Sequence, residues 1–96
     1  MAAKMTESSG NIFRDLGFPP QEAEVMLLRA KLVEALRVWM ESEELTQAQT
    51  AKRLGVTQSR VSEIVRGKVE LLSLDYLVVL CAKAGISVGV QVAVKV

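Results

Sequence analysis

Two threonine helix starts, Thr46 and Thr57, with Gly55 between them, leave residues 45–68 (LTQAQTAKRLGVTQSRVSEIVRGK) little conformational choice. Thr46 and Gln49, three residues apart, match a capping box, in which each side chain satisfies the other residue's backbone N–H. Gly55 follows Leu54 where a chain leaving a helix turns left-handed, a conformation that glycine adopts cheaply. Thr57 then starts a second helix running to about Arg66, and Gly67 ends it. The spacing predicts Ala51 at the closest approach of the two helices. Leu54, Val56, Val61 and Ile64 point into the core that they share. Gln58, Ser59, Arg60, Ser62, Glu63 and Arg66 are left on or near the outer face. Amide, hydroxyl and guanidinium groups on the exposed face of a short helix have the chemistry to read base edges in a major groove.

Charge is divided along the chain in a way that supports this reading. The formal net charge is only +1, yet residues 1–44 carry five basic and eight acidic side chains. Residues 45–68 carry Lys52, Arg53, Arg60, Arg66 and Lys68 against Glu63 alone, and residues 69–96 balance two against two. Positive charge is thus concentrated in the motif, as a phosphate-facing surface requires.

The segment resembles the helix-turn-helix of the Cro/C1-repressor-like (XRE) family. The Thr-Gln opening, the spacing of Ala51, Gly55, Val61 and Ile64, and the closing Arg-Gly-Lys carry the resemblance. Thr50 departs from it, since the family more often has an aliphatic residue there. The resemblance implies a mainly α, lambda-repressor-like bundle of about four main helices. It also implies that Gln47 contacts a phosphate and braces Gln58, the first residue of the recognition helix.

The chemistry of the side chains suggests the remaining roles. Gln58 pairs bidentately with adenine, Ser59 is adaptable, and Arg60 reaches guanine or a phosphate. Glu63 either accepts from cytosine N4 or pairs with Arg60 or Arg66 as a solvated helix residue. Arg66 and Lys68, at the helix exit, hold the sugar-phosphate backbone, with Thr57 and Ser62 as further phosphate contacts. Lys52 and Arg53, on the scaffold helix, are weaker phosphate candidates.

Other function classes find little support. Histidine is absent and Cys81 stands alone, so neither a common zinc site nor a Ser-His or Cys-His pair can be built. Cys81 lies in an apolar helical run and reads as a small buried hydrophobe. No cofactor is called for, and enzymatic activity is the remote option. Four aromatic residues are too few for single-strand binding by stacking. No apolar run approaches the roughly 20 residues of a membrane span, and a lone cysteine fits a reducing cytoplasm.

Residues 1–19 read as a flexible leader. The first ten are small, polar and aperiodic, and Met5 is a candidate alternative start. Ile12, Phe13, Leu16 and Phe18 are too apolar for a plain linker: they either tuck against the helical core or dock another protein or subunit. This leader is similar to the one preceding the motif in HigA-like antitoxins, which implies a RelE/HigB-like toxin as partner. Pro19-Pro20 then opens a long helix over about 20–42. Its core stripe is predicted at Val25, Leu28, Leu32, Ala35, Leu36 and Trp39. Met26, Val33 and Met40 form a second line that packs under the leader or meets a partner. Ser73 caps a last helix over 74–84, with Leu74, Leu77, Val78, Cys81 and Ala84 buried, Tyr76 partly exposed, and Gly85 as its stop.

Residues 86–96 alternate strictly, with Ile86, Val88, Val90, Val92, Val94 and Val96 on one face. By period and β-branched content this is a strand. A lone strand is unstable in water, so it must pair with the leader around residues 12–16 or with its copy in a second chain. The second-copy reading makes Ile86, Val88, Val90, Val92 and Val94 dimerisation residues, and its two-fold symmetry suits a palindromic operator. The expected organisation is therefore a leader (1–19), a helix-turn-helix domain (20–85) and a dimerising strand (86–96). The expected function is that of a cytoplasmic homodimeric repressor binding double-stranded operator DNA, as the antitoxin of a toxin–antitoxin operon. A stand-alone or phage-type repressor, and a protein-binding module using the helices as scaffold, are the alternatives.

Overall fold

The chain order is α1 (Ile12–Asp15), α2 (Pro20–Ser42), α3 (Gln47–Leu54), α4 (Gln58–Val65), a 3-10 turn (Val69–Leu71) and α5 (Leu74–Lys83). The structure is a computed structural model that describes residues 10–94. The aperiodic first nine residues, with Met5, and the last two residues of the alternating tail lie outside the described part.

Local chemistry sets the boundaries. Pro20 opens α2 at a position whose N–H would have no helical partner in any case. The hydroxyls of Thr46, Thr57 and Ser73 accept from backbone N–H groups three residues on, capping α3, α4 and α5. Gly55 closes α3 at φ +67°, the left-handed conformation its position demanded.

Helix α2 is the spine, packed against α5 on one side and against α1, α4 and the 3-10 turn on others. Leu36, Leu54, Ile64, Leu72, Leu77, Leu80 and Cys81 are fully buried where these elements meet. A satellite cluster of Met40, Ala51 and Val61 seals the α3–α4 corner, with Ala51 as the small residue at the approach.

Three expectations are corrected. On α2, the line Met26, Val33 and Met40 is buried together with Ala23 and Leu36, whereas Val25 and Leu28 are exposed. Leu32 and Trp39 lie half-buried at its edge. The phase shifts because α1 and the 3-10 turn cover Met26 and Val33 while the α3–α4 corner covers Met40, a long-range arrangement that periodicity alone does not encode. On α5, Val78 is exposed and Leu80 takes its place in the core.

The third correction is the tail: no strand exists among the described residues, and 86–94 runs on without a ladder. A strand persists only when its N–H and C=O groups are paired. The intrachain partner considered for it is helical, since α1 occupies Ile12–Asp15. Ile86 packs against the core, while Val90, Val92 and Val94 project into solvent at 84%, 83% and 89% exposure.

In the leader, buried Asn11 caps α1. Its Oδ1 accepts from the N–H of Phe13 (2.9 Å) and Arg14 (3.4 Å), and its Nδ2 donates to the Ala23 carbonyl of α2 (2.9 Å). Phe13 tucks against the core and meets Phe18 edge-on at 5.7 Å, but Ile12 and Leu16 stay exposed.

Candidate nucleic-acid interface

The capping box forms as expected. The Gln49 N–H donates to Thr46 Oγ1 (3.1 Å), and the Thr46 N–H donates to Gln49 Oε1 (2.9 Å). Thr50, the departure from the family pattern, is fully buried and donates its hydroxyl to the Thr46 carbonyl at 2.8 Å. Its polar atom is therefore satisfied within the helix. Lys83 reaches from α5 and donates to the Leu54 carbonyl at 3.1 Å, satisfying one of the free carbonyls at the end of α3.

These supports present α4 outward. Val61 and Ile64 are fully buried, so the positions opposite them on a 100°-per-residue helix, notably Ser59, Glu63 and Arg66, face away from the core. Gln58 and Ser59 are exposed on the first turn, and Ser62 is half-buried. Thr57 Oγ1 accepts from the Arg60 N–H at 3.2 Å, which leaves its O–H free to donate to an anion. Gln47 is half-buried at the start of α3. No hydrogen bond joins it to Gln58 among the described residues, so the expected brace is not formed here.

The cations separate into two groups. Arg53 lies 5.5 Å over the Trp39 ring and pairs with Glu43 at 3.4 Å, which ties it to the scaffold. Arg60 donates from Nη1 to Glu63 Oε1 at 2.9 Å and to the Leu71 carbonyl at 3.4 Å, and its guanidinium lies 5.6 Å over the Tyr76 ring. Glu63 is thus paired with Arg60 in this structure. Lys52, Arg66 and Lys68 make no ion pair among the described residues. Arg66 and Lys68 flank Gly67 at the exit of α4, where Gly67 turns the chain at φ +69°.

Sequence reasoning missed Tyr76, the Leu71 carbonyl and Lys83. A basic residue in the last turn of α5 signals a dipole partner for its own helix, not for α3. Tyr76 and Leu71 lie many residues beyond Arg60, with no spacing rule to connect them. Cys81 is fully buried, and burial pushes its thiol above the ordinary value, which suits a packing residue. No group of His, Cys, Asp and Glu among the described residues could hold a metal ion, and no helix among them is long and apolar enough to cross a membrane.

A family model described as a helix-turn-helix domain matches residues 12–93, from α1 into the tail. No match emerges among curated proteins or among solved structures. The match takes in the capped α3–Gly55–α4 unit, its cations and the helices that support them. The chain belongs to this helix-turn-helix domain family, a Cro/C1 (XRE)-like group of DNA-binding regulators.

Proposed function

We propose that the chain is a sequence-specific repressor that binds double-stranded operator DNA as a homodimer. The observation that carries this is the outer face of α4. Gln58 and Ser59 are exposed on its first turn, and Arg66 and Lys68 stand at its exit without ion pairs among the described residues. In this reading Gln58, Ser59, Arg60 and Glu63 read bases. Gln47, Thr57, Ser62, Arg66 and Lys68 hold the phosphate backbone, with Lys52 and Arg53 as outlying contacts. Two such helices, about 34 Å apart in a two-fold dimer, enter successive major grooves and block a promoter. The tail residues Ile86, Val88, Val90, Val92 and Val94 pair with their copies to set that spacing. The leader's similarity to HigA-like antitoxins supports autoregulation of an operon shared with a RelE/HigB-like ribonuclease, acting in the cytoplasm.

Anisotropy with the DNA upstream of the chain's own gene, against scrambled DNA and across a salt series, tests the reading. Selective binding with a steep salt slope is expected. Gln58→Ala should lower discrimination at one base pair by ~1–3 kcal/mol. Lys68→Ala should weaken all duplexes alike and flatten the salt slope by about one unit. Weak binding that ignores sequence would instead favour a protein-binding module. Co-purification with a ribonuclease encoded beside it separates an antitoxin from a stand-alone repressor.

A further inference from the structure

Arg60 and Glu63 are joined to each other on the outer side of α4. They lie one turn apart on α4 with Nη1 and Oε1 2.9 Å from each other. The Glu63 side chain is the more covered, at 22% exposure against 46% for Arg60. The guanidinium is also held from outside the motif by the Tyr76 ring at 5.6 Å and the Leu71 carbonyl at 3.4 Å. Both protein contacts use Nη1, so Arg60 Nη2 and Nε, and Glu63 Oε2, make no hydrogen bond among the described residues.

The two charges cancel, which removes the repulsion that a lone carboxylate on this face would meet from phosphates. What remains is a pair of unused donors, Arg60 Nη2 and Nε, beside an unused acceptor, Glu63 Oε2, on two side chains that are themselves joined at 2.9 Å. The major-groove edge of a G·C pair offers the complement: guanine N7 and O6 accept, and cytosine N4 donates. The O6 and N4 atoms are themselves joined by a hydrogen bond.

We propose that Arg60 and Glu63 act as one unit that reads a single G·C pair, with Tyr76 as the residue that positions Arg60. This rests on α4 being the DNA-reading helix. Arg60 donates to guanine O6 and N7 while Glu63 accepts from cytosine N4. The pattern also ranks the other pairs. T·A keeps the acceptor-then-donor order through thymine O4 and adenine N6, but it puts a methyl group where guanine has N7. A·T keeps an N7 acceptor for Arg60 but puts the adenine N6 donor in place of O6 and the thymine O4 acceptor against Glu63, and C·G offers Arg60 only the N4 donor while it sets the guanine O6 acceptor against Glu63. The order of preference is therefore G·C, then T·A, then A·T, with C·G last.

The test starts from duplexes selected by the full chain out of a randomised library. Each position of the consensus is then replaced by all four pairs and measured by anisotropy with the wild type, Arg60→Gln, Glu63→Gln and the double variant. At one position per half-site the wild type should show the stated order, with about 5- to 150-fold between best and worst. Both single variants should flatten that same position and leave the others, and the double variant should add little to either. Tyr76→Phe should keep the discrimination and Tyr76→Ala should reduce it. The proposal is overturned if the two singles weaken all duplexes equally, or if they act at different positions. A selection that returns no consensus overturns the DNA-reading role of α4 itself, and this proposal with it.

Discussion

Thr50 shows how a polar residue is accommodated at a buried position of this motif. Its hydroxyl donates to the Thr46 carbonyl at 2.8 Å, yet that carbonyl already accepts the Thr50 backbone N–H at 2.9 Å. The side-chain bond is thus redundant for the acceptor, and such back-bonding slightly disfavours a helix. Thr50→Val removes the hydroxyl without leaving a buried group unpaired, so stability should change by less than about 1 kcal/mol, in the favourable direction. Thr50→Ala should cost more, because it deletes a packed methyl group. Urea denaturation of both variants checks this, and a loss above about 2 kcal/mol for the valine variant would refute the redundancy. Residue chemistry was legible where a rule links neighbours. The Thr46–Gln49 box, the left-handed Gly55 and the possible Arg60–Glu63 pair all follow from separations of a few positions. The Tyr76 ring over Arg60 and the Lys83 cap on Leu54 are set by how α5 crosses the motif, which no local spacing reveals.

At the scale of elements, a four-residue helix such as α1 is not stable alone. It persists because Asn11 does two jobs, capping the first N–H groups and anchoring to the Ala23 carbonyl of α2 at 2.9 Å. Asn11→Ala should cost about 0.5–2 kcal/mol from the lost cap and release α1 from α2. Hydrogen exchange should then show faster amides at Phe13 and Arg14, with α4 protection and DNA affinity unchanged. Unaltered exchange at those two amides would show that Phe13 packing alone holds α1. The same element explains why the buried line of α2 was misjudged. Periodicity identifies two adjacent apolar lines on α2, but the choice between them depends on what docks there. Once α1 and the 3-10 turn cover Met26 and Val33, Val25 and Leu28 are left outside. Helix limits were far more legible than helix faces, because caps such as Thr57 and Ser73 are local chemistry whereas faces are tertiary outcomes.

For the whole molecule, the proposed function requires that one recognition helix become part of a device that spans two grooves. The motif carries the positive charge, and the tail carries an apolar face that the other described residues leave open: Val90 and Val92 are 84% and 83% exposed. Alternation alone suggested a strand in that tail, but none exists among the described residues, and the pairing partner expected within the chain, residues 12–16, is mostly helix. Pairing with a second copy would supply the missing ladder and bury these valines across a two-fold axis. Replacing both Val90 and Val92 by Glu places like charges near one another across such a ribbon and opposes pairing. Sedimentation should then report a 10.5 kDa monomer in place of a dimer. The helices should stay folded, because neither side chain contributes to the core of the single chain. Affinity for an isolated half-site should hold, while the advantage of a full palindrome, expected at about 10²- to 10⁴-fold from linked binding, should vanish. A variant that still sediments as a dimer would move the two-fold axis away from the tail. The next surface to test would be the exposed Val25–Leu28 side of α2, where Leu28 and Val78 share a cleft with the tail.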